Sequence, residues 1–175
     1  MGGLIIPKTY IEEPSFPLIY LAGPIKGAPK WHDEAIEFLL SHNPDLTIAS
    51  PQKEIKQNLS AHLLKGDESY FSRQRAWERH YLSLASDSGA ILFWLPGEET
   101  HRCEKSYGAM TRIELGQWMT NYRDDRFLGL AIGTDGKFSE IDTIKYDLSL
   151  DAPDKKIYST LEETCSEALR LANID

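Results

Sequence analysis

Cysteine, positive charge and long hydrophobic runs are all scarce in this chain. Of its 175 residues only Cys103 and Cys165 are cysteines, and their wide spacing matches no zinc motif or disulfide framework. No apolar run reaches the roughly 18 residues that a membrane-spanning helix needs, and the N-terminus lacks a signal-peptide pattern. Acidic residues outnumber basic ones by 27 to 19, which argues against nucleic acid polymers and anionic membranes as partners. We therefore expect a soluble cytoplasmic protein.

The composition is that of an ordinary folded domain. Hydrophobic residues make up 41% and charged residues 26%, which excludes intrinsic disorder and coiled coils. The length fits one domain with a short extension. Because residues 1–17 hold three prolines and an acidic pair, we expect them to form an extended arm before a single domain over residues 18–175.

Strand-like and helix-like segments alternate from Leu18 onward. The expected strands, where short apolar runs end in turns, are 18–22, 46–50, 90–95 and 127–132, with weaker signals at 144–148 and 156–158. The expected helices are 30–41, 69–85, 111–122 and 161–172. The stretch 51–66 has no clear pattern. This alternation predicts an α/β fold with a doubly wound parallel sheet in three layers, and ligands bind such sheets beyond the carboxyl ends of the strands.

The first strand ends in the turn Gly23-Pro24-Ile25-Lys26-Gly27. The turn has neither the glycine spacing of a dinucleotide-binding loop nor the Gly-Lys-Ser/Thr ending of a P-loop. Its glycines would let the backbone approach a ligand closely, although an ordinary strand-to-helix turn is favoured from this segment alone. Trp31 follows at the entrance of a helix, where its ring is a candidate surface for an aromatic base.

Glu114 follows a long, charged loop and has two interpretations. Thr111-x-x-Glu114 has the spacing of a capping box, which the pattern alone favours. Alternatively, a carboxylate held ionised in the first turn of a helix, at the mouth of a parallel sheet, is placed to act as a nucleophile. Gly116 would allow close packing of this helix on the sheet or a ligand.

A second acid near Glu114 would orient a sugar hydroxyl or donate a proton. Glu78 and Asp87 are the candidates, and their alternatives are a solvated helix face and a C-terminal turn, the latter favoured for Asp87. A metal is not expected, because His101 and Cys103 are two ligands without a second cluster. Several basic residues form either a solvated face or a phosphate contact: Arg73, Arg75, Arg79, Arg102, Lys105 and Arg112.

Four short blocks occur in order along residues 18–132. They are Ile19-Tyr20-Leu21-Ala22-Gly23-Pro24-Ile25, Trp77-Glu78, Ala90-Ile91-Leu92-Phe93-Trp94-Leu95-Pro96 and Thr111-Arg112-Ile113-Glu114-Leu115-Gly116. Together they resemble the nucleoside 2-deoxyribosyltransferase family, in its deoxyribosyltransferase-like branch. The resemblance implies a flavodoxin-like sheet in the order 2-1-3-4-5, a homodimer or higher homo-oligomer, and cleavage of the N-glycosidic bond of a 2'-deoxynucleoside without a cofactor.

The resemblance also implies roles for particular residues. Glu114 corresponds to the family's nucleophile, Tyr20 to the tyrosine that holds it in place, and Glu78 to an acidic residue before the central strand. Where family transferases carry an aspartate and the related monophosphate glycosidases a serine, this chain has Gly108, with Ser106 nearby. Arg112 belongs to the deoxyribosyltransferase-like branch and would replace that contact to the sugar.

These departures leave the substrate open. The deoxyribosyl group would pass to another free nucleobase or to water, and the partners are small nucleosides, nucleotides and bases. One alternative is a nucleoside 5'-monophosphate N-glycosidase, which would bind the phosphate through arginines. An alternative from another class is a nucleotide-binding module that has lost the chemistry, and Gly108 is the feature that keeps it open.

Overall fold

Six parallel strands form the sheet of the protein in a computed structural model, which describes residues 3–7, 10–52 and 70–173. The strands are β1 (Leu4–Ile5), β2 (Leu18–Ala22), β3 (Thr47–Ala49), β4 (Gly89–Leu95), β5 (Leu130–Thr134) and β6 (Ile157–Tyr158). The helices are α1 (Trp31–His42), α2 (Tyr70–Ser88), α3 (Ala109–Asp124), α4 (Ile141–Asp151) and α5 (Leu161–Leu171). The expected α/β class with a parallel sheet is confirmed.

The strand order is β1-β3-β2-β4-β5-β6. From β2 onward this is the 2-1-3-4-5 order that the family resemblance implies, with one further strand at the edge. That strand, β1, comes from the expected arm: Leu4 aligns with Ile48 and Ile5 with Ala49. Ile5 is buried, so at least part of the arm belongs to the core of the domain. A two-residue strand is too short to show a periodicity in the sequence.

Helices cover both faces of the sheet. Successive residues of β4 alternate between two cores, with Ile91 and Phe93 in one and Leu92 and Trp94 in the other. The first core is filled from α2, α3 and α4, and the second from α1 and α5. The three layers expected from the sequence are therefore present.

The segment 144–148, expected as a strand, lies inside α4, so that prediction is wrong. Its alternation of apolar and polar residues imitates a strand, but Tyr146 is 65% exposed. The residues that pack inward, Ile141, Ile144 and Leu148, have the spacing of one helical face. The fourth expected strand lies two to three residues later, because Phe127 is exposed and β5 begins at Leu130. Most of the stretch 51–66 lies outside the described residues.

Helix α3 begins earlier than the sequence indicates. Gly108 occupies the N-cap position with φ 63°, and its carbonyl accepts a hydrogen bond from the Arg112 amide at 3.0 Å. Thr111 is therefore inside the helix, so the capping-box interpretation of Thr111 and Glu114 is wrong. The first-turn interpretation of Glu114 is also wrong, because the residue lies in the second turn, beyond the unpaired amides.

Alanine substitutions at two glycines, Gly116 inside α3 and Gly108 at its N-cap, are expected to change the stability in opposite directions. Gly116 is exposed, and an added Cβ would meet nothing within 4 Å, so Gly116 makes no close approach to the sheet. Gly116→Ala is expected to raise the free energy of unfolding by about 0.5–1 kcal/mol. At Gly108 an added Cβ would lie 2.7 Å from the Phe138 ring at a positive φ, so Gly108→Ala should cost about 1–3 kcal/mol. Urea unfolding of both variants checks this, and equal midpoints would contradict it.

Candidate active site

An arginine between two carboxylates links α2 to α3. The Arg75 Nη1 atom donates hydrogen bonds to Glu114 Oε1, at 2.5 Å, and to Glu78 Oε2. Gln74 Nε2 donates to the other oxygen of Glu78 at 2.7 Å. These contacts make ion pairs of Arg75 with both acids. We call Arg75, Glu78 and Glu114 the acidic cluster.

The fold brings the acidic cluster to the carboxyl side of the sheet. Arg75 and Glu78 are three residues apart and therefore share one face of α2. That helix ends at Ser88, directly before the start of β4, so its first half lies toward the strand ends. Helix α3 starts after the loop that leaves the carboxyl end of β4, and Glu114 is in its second turn. This is the side at which ligands bind in such sheets.

The acidic cluster is largely removed from solvent. The side chains of Glu78 and Glu114 are each 11% exposed and that of Arg75 is 22% exposed. Burial raises the pKa of Glu114, and the negative charge of Glu78 raises it further. The hydrogen bond and the positive charge of Arg75 act in the opposite direction. Arg75 is thus the group that favours the ionised form of Glu114.

Tyr20 lies beside the cluster, in the middle of β2. It is 1% exposed, and its ring centroid lies 6.1 Å from that of Trp77 on α2. Burial raises the pKa of Tyr20 well above its ordinary value, and the charges of Glu114 and Glu78 raise it further. The phenol therefore stays protonated at neutral pH. The structure thus brings together Tyr20, Glu78 and Glu114, the three residues that the sequence marked as catalytic candidates.

Trp31 is not an open surface for a base. It is 2% exposed and packs in the core on the α1 side of the sheet, with its ring centroid 3.6 Å from that of His32. Its Nε1 atom donates to the Pro24 carbonyl at 2.9 Å. An added Cβ on Gly23 would lie 2.7 Å from the Trp31 ring, so Gly23 is needed for this packing. Ile25 is half-buried in the same turn.

Asp87 lies away from the acidic cluster. It is exposed and comes near the end of α2, two residues before β4 begins. Asp87 lies nine residues after Glu78, so at a rise of 1.5 Å per residue it is about 13 Å further along the helix axis, toward the amino edge of the sheet. Its position agrees with the C-terminal turn that was the alternative interpretation.

Arg112 holds the loop before α3 in place. Its Nη1 atom donates to the Tyr107 carbonyl at 2.5 Å and its Nη2 atom to Ser139 Oγ. The guanidinium carbon lies 4.7 Å from the centre of the Phe138 ring, against which Gly108 also packs. Ser106 is exposed in the same loop. These contacts of Arg112 are made with the protein itself.

Metal clusters and cavities are the other kinds of candidate site. Within the described residues no three side chains of His, Cys, Asp or Glu are grouped to hold a metal ion. A cavity of about 130 Å³ lies near the edge strand β1, away from the acidic cluster. Its lining residues are Leu4, Ile6, Lys30, Asp33, Ile36, Ser50 and Gln52.

Arg75 is a member of the acidic cluster that sequence reasoning did not single out. It was one of six basic residues expected to form either a solvated face or a phosphate contact. The spacing Arg75-x-x-Glu78 is a signal for an ion pair on one helix face. The contact with Glu114, 39 residues further along the chain, depends on how α2 and α3 pack and leaves no local pattern.

The described residues define a three-layer, flavodoxin-like α/β fold with an acidic cluster at the carboxyl side of its parallel sheet. Comparisons of the chain with protein-family models, with curated proteins and with solved structures give no match. None of the described helices combines the length and the apolar character needed to cross a bilayer.

Proposed function

We propose that this protein cleaves the N-glycosidic bond of 2'-deoxynucleosides and transfers the deoxyribosyl group to another base or to water. The observation that supports the proposal most is the setting of Glu114. Its carboxylate is largely buried, paired with Arg75, and accompanied by a second carboxylate and by a neutral phenol. Retaining glycosyl transfer uses a carboxylate nucleophile assisted by a second carboxyl group.

In the first half of the reaction, an oxygen of Glu114 attacks C1' of the deoxyribose. The C1'–N bond breaks through an oxocarbenium-like transition state, and its electron pair leaves with the base, which takes up a proton from solvent water. The product is a deoxyribosyl ester of Glu114. Tyr20 remains protonated beside the carboxylates, and we assign it the role of a hydrogen-bond donor to them during the reaction.

In the second half, water or another base attacks C1' of the ester. The C1'–O bond breaks and its electron pair returns to Glu114, so two displacements retain the configuration at C1'. The chemistry uses only groups of this chain and its substrates. We place this activity in the cytoplasm, in a homodimer or higher homo-oligomer, where nucleosides and free bases are the small-molecule partners.

The proposal predicts base release or exchange from a panel of deoxynucleosides and deoxynucleotides. Each would be incubated with and without free bases, and the products resolved by chromatography. We expect new nucleosides of unchanged C1' configuration when a free base is present, and free base alone when it is not.

The same panel separates the alternatives. Base release from monophosphates only would replace the transferase by a nucleotide N-glycosidase. Binding without any base release during long incubation would contradict the proposal and favour a nucleotide-binding module. Arg112 gives no separate support to phosphate binding, because its guanidinium is engaged by Tyr107 and Ser139.

A further inference from the structure

We propose that Arg75 is a positioning residue that serves the two carboxylates in turn. It holds Glu114 ionised for the attack, and once Glu114 is esterified it pairs with Glu78 alone, which makes Glu78 the base of the second half-reaction. This inference rests on the proposed function and assigns roles within that same site.

One atom of Arg75 contacts both carboxylates. A single nitrogen, Nη1 of Arg75, donates to both Glu78 and Glu114. Glu78 is held at both oxygens, since Gln74 donates to the second one. Arg75 and Glu78 lie on α2 and Glu114 lies on α3, so the shared nitrogen is the contact at which a change in Glu114 reaches Glu78.

The charges of the acidic cluster do not cancel in the resting state. Two carboxylates and one guanidinium give the resting cluster a net charge of −1 in a largely buried position. Charges interact strongly where water is scarce, so the two carboxylates compete for the one cation. Esterification makes Glu114 neutral. The cluster is then neutral as a whole, and Glu78, paired with Arg75, is the one carboxylate of the cluster left to accept a proton.

The charge of Arg75 also keeps the two carboxylates from sharing a proton. Without its charge, two carboxylates would share a buried position with no cation, and such pairs retain a proton between them. Burial already raises the pKa of Glu114, so Glu114 would be the neutral acid over a wider pH range. A protonated carboxyl group is a poor nucleophile.

The second half-reaction conserves atoms and electrons. The oxygen of water forms a bond to C1', and the bond from C1' to Glu114 breaks with its electron pair returning to the carboxylate. The proton of the attacking water passes to Glu78 and from there to solvent, which restores the resting cluster. In transfer to a base, the attacking nitrogen takes the place of the water oxygen, and its proton passes to Glu78 in the same way.

The pH dependence of kcat/KM tests the role of Arg75. The acid limb reports ionisation of the nucleophile in the free enzyme. In Arg75→Gln we expect this limb to move upward by at least one pH unit, with a loss of at least tenfold at pH 6 that is partly recovered at pH 8.5. Added guanidinium ions should restore part of the activity. Arg75→Lys, which keeps the charge, should leave the limb nearly in place and lower kcat.

Arg79→Gln is the matched control, because Arg79 is exposed and lies on the next turn of α2. It should leave the profile unchanged. If the acid limb of the pH profile does not move in Arg75→Gln while the thermal stability falls, Arg75 has only a structural role. That result would overturn the inference. ¹³C-carboxyl NMR titration of Glu114 in the same variants gives a readout that does not need turnover.

Rapid-mix kinetics of Glu78→Gln tests the second role. We expect a burst of about one equivalent of free base per active site, followed by slow turnover, because the ester forms but lacks its base. Slow release without a burst would overturn the assignment of Glu78. If the wild-type protein itself releases no base, the proposed function is refuted. The NMR titration still decides in that case whether Arg75 keeps Glu114 ionised.

Discussion

Glu114→Gln is expected to abolish base release while making the folded protein more stable at neutral pH. Loss of the nucleophile should lower kcat by on the order of 10⁶-fold, as removal of the attacking group does in a well-studied covalent enzyme. The amide keeps an oxygen that accepts the hydrogen bond of Arg75. The substitution also removes one negative charge from the acidic cluster, which then holds one cation and one anion.

The direction of the stability change follows from linkage. Burial raises the pKa of Glu114, so the folded state binds the proton more tightly than the unfolded chain does. The stability contributed by this group is complete below the ordinary pKa of glutamate and is lost as the pH rises through the raised value in the folded protein. Glutamine stays neutral throughout. The variant should therefore unfold at higher urea than the wild type at pH 7.5, and the difference should vanish near pH 4.

Glu37→Gln is the matched control for this prediction. Glu37 is exposed on α1, on the other side of the sheet. The control should change neither base release nor the urea midpoint. A Glu114→Gln protein that is less stable than the wild type at pH 7.5 would identify Glu114 as part of a structural ion pair. Retained base release would remove it from the mechanism.

The parts of the fold that were predicted are those with strong local signals. Leu18–Ala22 and Gly89–Leu95 are continuous apolar runs, which is what a strand buried on both faces requires. Helix α4 was missed because alternation over five residues imitates a strand, although three inward residues share one helical face. The short strand β1 depends on its pairing with β3, which no local pattern reports.

The candidate site was predicted only in part. Glu114, Glu78 and Tyr20 were singled out together, and the structure places them together. The start of α3 was misplaced because it depends on the left-handed conformation of Gly108, which sits against the Phe138 ring. The role of Arg75 depends on the packing of α2 against α3. Long-range packing is the common reason for these two misses.

The acidic cluster combines features that a purely structural ion pair does not need. One guanidinium serves two carboxylates, so the buried group has an excess negative charge. Local arrangements that work against stability are concentrated at functional sites. The energetic role of Arg75 can be measured separately from any activity.

Arg75→Met is expected to lower the free energy of unfolding by about 3 kcal/mol at pH 7.5, the size seen when one partner of a buried ion pair is removed. The reason is that Glu78 and Glu114 would remain largely buried without a cation. The loss should shrink as the pH falls through the raised pKa of Glu114, because a protonated carboxyl group no longer needs the arginine. Urea unfolding at several pH values measures both effects.

Two further variants decide how this loss arises. Arg79→Met, on the exposed face of the same helix, should change the unfolding free energy by less than about 0.5 kcal/mol. The triple variant Arg75→Met, Glu78→Gln, Glu114→Gln has no charge left in the cluster and should recover most of the loss, since neutral replacements of a buried ionic group are often tolerated. A triple variant as unstable as Arg75→Met alone would mean that the methylenes of Arg75 matter through packing. Its charge would then not be what holds α2 and α3 together.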